Sequence, residues 1–303
     1  MGSWSDITAQ VSQLVAQGMT ENAALGSIRH SSIGELAKYR DRNVICYYSG
    51  WLQLQEDVLA VAITDDDTNG LMNAIHGLDK AKGLDLLLHT PGGDLAATQA
   101  IVGYLMDFFD HDVDAFIPQL AMSAGTMIAC ACRRVYMGRQ SSLGPTDPQL
   151  RGIAAGGVIE EFEAAVSEVT SNPGAAPMWA QIIGQYPPTF LGDCQKALDL
   201  SESTVKRWLV ENMLSNESNP TDIAERIASV LCDHKRSAMH NRHFSYRELR
   251  DLGMKVDLLE DDGALQDKVL TIHHSYMTTF QRVPIAKIIE NSDSKGWIVQ
   301  ALS

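Results

Sequence analysis

The 303-residue sequence has no long apolar run and no surplus of positive charge. Its longest apolar stretches, near Val58–Ile63 and Leu84–Leu88, have strand length and fall short of the roughly 18–20 residues that a membrane helix needs. The net charge is −14 and the pI is near 5.0, so little basic surface is available to neutralise phosphates. We therefore expect a soluble cytoplasmic protein with neither nucleic acid nor a membrane as partner.

Signals for secretion, metal binding and nucleotide cofactors are also missing from the sequence. The first ten residues lack the basic segment and apolar core of a signal peptide. Five cysteines, an odd number, indicate reduced thiols. Cys130 and Cys132 have no second ligand pair at zinc-site spacing, and no Gly-x-Gly-x-x-Gly follows a predicted strand. We expect no metal and no cofactor.

Strand-like and helix-like segments alternate through the first half of the chain. Leu84–Leu88 and Val113–Ile117 are short apolar runs typical of strands buried on both faces. They alternate with the helical patterns of Ala96–Phe109 and Met122–Ala131. This order predicts right-handed parallel crossovers and an α/β fold. Further strands are predicted at Asn43–Tyr48, Val58–Thr64, Arg134–Met137 and Lys255–Leu259.

The pattern of apolar and polar residues changes along the chain and predicts three parts. Residues 1–40 form an N-terminal helical segment, residues 41–262 form the α/β domain, and residues 263–303 form a helical tail with a short β-like end at Trp297–Val299. Within the domain, residues 157–233 have an almost wholly helical pattern and are predicted to be an insertion. The acidic run Asp65–Asp67 is interpreted as a solvated turn that caps the following helix.

The first of two glycine-rich turns is Pro91-Gly92-Gly93, directly after a predicted buried strand. A glycine pair permits positive φ and lets a ligand approach the backbone N–H groups closely. Such amides can bind an anion, either a phosphate or a developing oxyanion. A tight turn that only ends the strand is the alternative interpretation.

The second turn contains Ser123, between Met122 and Ala124-Gly125, after the strand Val113–Ile117. A serine between small residues at a strand-to-helix junction has an accessible hydroxyl above a helix N-terminus. Serines at such junctions also serve simply as helix caps. The sequence of this turn alone leaves both interpretations open.

Taken together, the two turns resemble a known pattern. The order is a strand, Pro-Gly-Gly, a helix, a strand and then small-Ser-small-Gly, and Ser123 follows Gly92 by 31 positions. This pattern is similar to that of the Clp protease/crotonase superfamily. More narrowly, the chain resembles the serine dehydrogenase proteinase family over roughly residues 35–300. The resembling stretches are Arg42–Trp51, Leu84–Asp94, Pro118–Cys130, Ser142–Gln149, Arg242–Asp257 and Lys287–Asn291.

The resemblance implies a ClpP/crotonase-like spiral β-sheet core with flanking helices, and a serine peptidase that forms an acyl-enzyme on Ser123. It implies that Gly92, with Gly93 beside it, and Ala124 supply the oxyanion-hole amides. It also implies a peptide or protein substrate and a homo-oligomer. Despite the family's name, it implies no dehydrogenase chemistry.

The group that activates the serine is less clear from the sequence. Clp peptidases use a His soon after the serine and a later Asp, and these positions correspond to Asp147 and Asn241 here. We expect the roles to be exchanged, with His240 as the general base and Asp147 as its orienting carboxylate, since a triad depends on geometry rather than order. The rival base is Lys196, by resemblance to the serine–lysine dyad of signal peptide peptidase A.

Two other function classes remain open. An acyl-CoA enzyme of the crotonase type would use the same glycine amides to hold a thioester enolate, with Asp147 as the acid–base group. Against this, the sequence shows no basic cluster for the CoA phosphates, and crotonases do not need a serine in the Ser123 turn. A catalytically inactive oligomeric scaffold is the other alternative, and only the peptidase predicts a fluorophosphonate adduct at Ser123.

Overall fold

The computed structural model of the chain describes residues 3–54, 58–232 and 242–301. These residues form a mixed α/β structure in which a seven-stranded, mostly parallel sheet is flanked by helices. The strands of the sheet are β1 (Asn43–Ser49), β2 (Leu84–His89), β3 (Val113–Ile117), β5 (Arg134–Met137), β9 (Val256–Leu258), β10 (Ile285–Asn291) and β11 (Gly296–Gln300). The short strands β4 (Leu120–Ala121) and β6 (Ser142–Leu143) form one pair, and β7 (Gln149–Leu150) and β8 (Ile153–Ala154) another.

The spatial order of the main sheet is β11-β10-β1-β2-β3-β5-β9. The segment from β1 to β9 is parallel, and β10 and β11 are antiparallel additions beside β1. Every residue of β1, β2, β3 and β10 is buried, which explains why most of their residues are apolar. The predicted α/β fold is confirmed.

Helices cover both faces of this sheet. They are α1 (Trp4–Ala16), α2 (Glu21–Arg40), α3 (Val58–Val61), α4 (Asp67–Ile75), α5 (Leu95–Phe109), α6 (Ala124–Ala131), α7 (Ala155–Ser171), α8 (Ala176–Ile183), α9 (Phe190–Trp208), α10 (Pro220–Leu231), α11 (Tyr246–Leu252) and α12 (Gly263–Arg282). Helices α4, α5, α6 and α10 pack in one core, and α2 and α12 form the core on the opposite face. In the described ranges, no helix combines the length and apolar character needed to cross a bilayer.

A buried carboxylate connects the N-terminal helices to the sheet. Glu290 on β10 lies 2.6 Å from Arg29 Nε and 3.0 Å from His30 Nε2, both on α2, and accepts a 2.6 Å hydrogen bond from the Tyr276 hydroxyl on α12. Burial alone would raise the pKa of Glu290, but its hydrogen bonds and the Arg29 charge lower it from 4.5 to about 2. The carboxylate is therefore ionised in the fold and connects three elements.

Two predictions of secondary structure differ from the structure. The run predicted as a strand at Val58–Thr64 contains α3, and only Ile63 pairs with the sheet region, through a single bridge to Gly93. Periodicity cannot separate a short apolar strand from a helical turn, which explains the error. The segment after residue 263, predicted as a helical tail with a β-like end at Trp297–Val299, also contains β10, which was not predicted, while the predicted end lies in β11.

The acidic run is also more than a solvated turn. Asp67 is fully buried and lies 2.6 Å from Lys287 Nζ, while the Tyr47 hydroxyl donates to it at 2.6 Å. Asp66, at the start of α4, makes no side-chain cap hydrogen bond. Lys287 also donates to the Ala62 carbonyl at 2.6 Å, so this ion pair fixes the segment that precedes α4.

Candidate active site

The two glycine turns follow neighbouring parallel strands. Strands β2 and β3 pair in register, with Leu87 opposite Phe116. Beyond them, Thr90 and Ala121 form an isolated parallel bridge. The carboxyl ends of parallel strands meet at one edge of a sheet, where α/β proteins place their ligand sites. Both turns therefore lie at the same edge of the sheet.

The turns touch each other at Gly92. A Cβ added to Gly92 would lie 2.7 Å from the Ser123 Cβ and 2.9 Å from the Ala124 nitrogen, closer than side-chain atoms pack. Gly92 also has a φ of +99°, a conformation that L-residues rarely adopt. Only glycine fits this position, which brings the backbone of the first turn against the serine of the second.

Ser123 has an unusual backbone conformation for a non-glycine residue. Its φ is 51° and its ψ is −116°, at the residue before α6 begins. Conformations of this kind cost about 1–3 kcal/mol and concentrate at functional sites. The Ser123 side chain makes no cap hydrogen bond, so the interpretation as a simple helix cap is wrong. It is half-buried and lines a cleft.

Two backbone amides beside Ser123 are available to a ligand. The Gly92 N–H donates to Thr90 Oγ1 at 3.1 Å, so the amide expected first in an oxyanion hole is already engaged. The neighbouring Gly93 is exposed to the cleft. Within the described ranges, no hydrogen-bond acceptor takes the N–H of Gly93 or of Ala124. Ala124 also begins α6, where the helix dipole favours negative charge.

The cleft around these groups has a volume of about 780 Å³, within the ordinary range for ligand sites. Its described lining is mostly apolar and includes no lysine or arginine. Besides the two turns, it is lined by Trp51, Leu52, Leu54, Val61, Ala62, Asp94, Leu95, Met127, Thr146, Pro148, Gln149, Leu150, Gly152, Ala197, Leu200 and Ser201.

The loop that carries Asp147 packs beside the serine turn. The Gly144 N–H donates to the Ala121 carbonyl at 3.2 Å, and the Thr146 carbonyl accepts from the Ser201 hydroxyl on α9 at 2.7 Å. Asp147 is fully buried between Thr146 and Pro148, both of which line the cleft. The structure therefore brings the loop of Asp147 to the site.

Comparison with known proteins identifies the family. Residues 11–173, just over half of the chain, match the ClpP-like SDH-type serine proteinase family. The chain belongs to this family. The matched range contains both glycine turns, Ser123 and Asp147, and ends before α9 and the region of His240. This family is one of serine proteinases with a ClpP-like fold.

Two curated relatives come from Methanocaldococcus jannaschii and are uncharacterized. The protein MJ0137 is 37% identical over 102 residues, which is 33% of this chain and 35% of the relative. MJ1495 is 32% identical over 100 residues, covering 33% and 34% of the two chains. The chain thus spans about a third of the length of the curated relatives it matches. Among solved structures, a serine-to-alanine mutant of the 1510-N membrane-bound stomatin-specific protease aligns with a TM-score of 0.39 and 18% identity, over 68% of this chain and 79% of that chain.

Of the two bases expected in this family member, one is placed by the structure. The Lys196 side chain is 80% exposed on α9, and its ammonium lies 3.4 Å from Asp193. Its neighbour Ala197 lines the cleft, but Lys196 does not. The structure does not support the serine–lysine interpretation, because the Lys196 ammonium lies outside the cleft and beside Asp193. His240 lies outside the described residues, and its role stays a prediction.

Two buried histidines, His89 and His273, do not supply a base at the cleft. His89 ends β2 and is fully buried, with its ring 5.5 Å from that of His273 on α12. Burial, offset in part by the Leu120 backbone, lowers the pKa of His89 to about 3. Burial likewise lowers the pKa of His273 well below its ordinary value. Neutral histidines of such low basicity are structural here.

Sequence reasoning missed several contributors to the cleft. Trp208, at the end of α9, and Met213, in the π-helical turn Leu209–Met213, are buried in the core. Leu200 and Ser201, earlier on α9, line the cleft. No motif marks these two positions. No role was predicted for Thr90 either, although its position directly before Pro-Gly-Gly is a signal in the sequence.

Proposed function

We propose that this family member is a serine peptidase that cleaves peptide bonds through an acyl-enzyme on Ser123. The observation that carries the proposal is the contact between the two turns. It places Ser123, whose side chain does not cap α6, in one cleft with Gly93 and Ala124, whose amides have no acceptor among the described residues. Hydroxyl nucleophile and paired amide donors are the two parts that acyl transfer requires.

The reaction follows from these positions. The Ser123 oxygen attacks the substrate carbonyl, and its proton passes to the general base. The carbonyl oxygen gains negative charge and accepts hydrogen bonds from Gly93 and Ala124, while Gly92 shapes the turn. The base then protonates the departing amine, and a water molecule releases the acyl group by the same steps.

For the base we propose His240, oriented by Asp147. Support comes from the sequence position of His240 and from the placement of the Asp147 loop beside the serine turn. The exposed position of Lys196 beside Asp193 favours His240 over the lysine. The expected loss of activity for His240→Ala is on the order of 10⁴-fold, because triad members act as a unit.

We also propose that the peptidase is a homo-oligomer. Trp208 and Met213 pack inside the subunit. Met178, however, is 50% exposed on α8, and Val166 is 69% exposed on α7. Sedimentation at micromolar concentration tests this, and a species of 33.2 kDa alone would contradict it.

Fluorophosphonate labelling followed by peptide mass spectrometry tests the function. We expect one adduct on Ser123 and none on Ser201, which lines the same cleft but donates its hydroxyl to the Thr146 carbonyl at 2.7 Å. Because Ser201 is buried in the fold, an adduct on it would indicate labelling of unfolded protein. Absence of an adduct from Ser123 would refute the peptidase and favour the inactive scaffold.

A further inference from the structure

Thr90 connects the two turns of the site through both its backbone and its side chain. It is fully buried, one residue after β2. Its N–H donates to the Leu120 carbonyl at 3.2 Å, and its carbonyl accepts from the Met122 N–H at 3.0 Å. These two bonds fix the backbone of the serine turn against that of the glycine turn.

The side chain of Thr90 makes two further contacts, one to each turn. Its Oγ1 accepts the Gly92 N–H at 3.1 Å. Its Cγ2 methyl lies so close to Gly125, in the first turn of α6, that a Cβ there would be 2.5 Å away. One threonine therefore holds the glycine pair with its hydroxyl and the start of α6 with its methyl.

The hydroxyl contact decides which amide faces the cleft. A glycine pair has little conformational preference of its own, so the orientation of its peptide groups must come from outside contacts. A hydrogen bond from residue i+2 to a Thr side chain is a turn-fixing arrangement. With the Gly92 N–H held by Thr90, the amide of the exposed Gly93 is the one left for a ligand in the cleft that Ala124 also lines.

From this geometry we propose that Thr90 is a positioning residue whose hydroxyl sets the oxyanion-binding orientation of the Gly93 amide. This inference rests on the proposed function of Ser123. Thr90 touches no reacting atom, and its effect passes through the Gly92–Gly93 peptide. Its hydroxyl should therefore matter for the chemical step and little for initial binding.

Two substitutions separate the hydroxyl from the methyl. Thr90→Val keeps the shape and the contact with Gly125 but cannot accept the Gly92 N–H. Thr90→Ser keeps the hydroxyl and removes the methyl. Thr98→Val is the matched control, because Thr98 is also buried and donates its hydroxyl to the Asp94 carbonyl at 2.6 Å, without accepting the N–H of either glycine.

The probe is an alkyl fluorophosphonate, so no natural substrate is needed. The Ser123 oxygen forms a bond to phosphorus, fluoride leaves, and the hydroxyl proton passes to the general base. The phosphoryl oxygen occupies the position of the oxyanion. Varying the probe concentration separates the maximal rate of labelling from the concentration that gives half of it, and the pH profile reports the base.

We expect Thr90→Val to lower the maximal labelling rate at least about 10-fold, since losing one oxyanion donor costs about 10²–10³ in rate. The half-saturating concentration and the pH profile should stay unchanged. Thr90→Ser should remain within about 3-fold of the parent, and Thr98→Val should match it. Assays run well below each variant's unfolding temperature exclude loss of folded protein as the cause.

The contrary outcomes are distinguishable. If the parent is labelled at Ser123 and Thr90→Val is labelled equally fast, the positioning role is wrong while the proposed function stands. If the valine and serine variants lose rate equally, the methyl contact matters and the assignment of the hydroxyl is overturned. If the parent is not labelled at Ser123, the proposed function fails and the role of Thr90 fails with it.

Discussion

Replacing Glu290 by glutamine tests how the N-terminal helices are attached to the sheet. The carboxylate is 2% exposed, and its pKa falls from 4.5 to about 2 in the fold. Because the folded pKa is depressed, the stabilisation is present above pH 4.5 and is lost as the pH falls towards 2. A difference of about 2.5 pH units corresponds to about 3 kcal/mol, of which about 2 kcal/mol is gone by pH 3.

The assay is urea unfolding of the parent and Glu290→Gln at about pH 7 and about pH 3. At neutral pH the variant should be less stable by about 3–5 kcal/mol, because Arg29 keeps a buried charge without its partner. The difference between the two proteins should shrink by about 2 kcal/mol at the lower pH. Glu35→Gln, at an exposed carboxylate, is the control. A difference that stays constant with pH would show that the Glu290 pKa is not depressed.

Three further predictions concern the site. Gly92→Ala should abolish labelling of Ser123 and lower the free energy of unfolding by about 1–2 kcal/mol or more. Gly103→Ala in α5, where a Cβ meets nothing within 4 Å, should leave labelling intact. Equal effects of the two substitutions on labelling would refute the close approach of Gly92 to Ser123. Ser123→Gly should unfold at a higher temperature than Ser123→Ala, because glycine adopts the positive φ of this position without the backbone cost of about 1–2 kcal/mol. Scanning calorimetry that gives the opposite order would contradict backbone strain at Ser123. Lys196→Ala should be labelled at the parent rate while His240→Ala is not, and the reverse result would restore the lysine as base.

The parts of the fold that the sequence predicted are those fixed by local pattern. Leu84–His89 and Val113–Ile117 are apolar throughout or nearly so, and a strand buried on both faces needs that composition. The turns after them were predictable because Gly-Gly and small-Ser-small are unusual wherever they occur. Their contact followed from parallel pairing alone.

The parts that were missed depend on partners far along the chain. Asp67 looks like any solvated aspartate until Lys287, 220 residues later, is placed beside it. Gly92 and Gly93 are equivalent as sequence, and only the hydroxyl of Thr90 distinguishes their amides. Trp208 and Leu200 lie on the same amphipathic helix, and the direction of each face was not predictable without the core it meets.

The place of β10 in the sheet affects how the protein is made. Strand β1 pairs with β2 on one side and with β10 on the other, so its second edge stays uncovered until residues 285–291 have left the ribosome. An apolar strand with a bare edge is prone to pair with other chains. The buried groups of β10, Lys287 and Glu290, also arrive only then. Lys287 donates to the carbonyl of Ala62, which lines the cleft, so a nascent chain that already carries Ser123 still lacks this contact to the wall of the site.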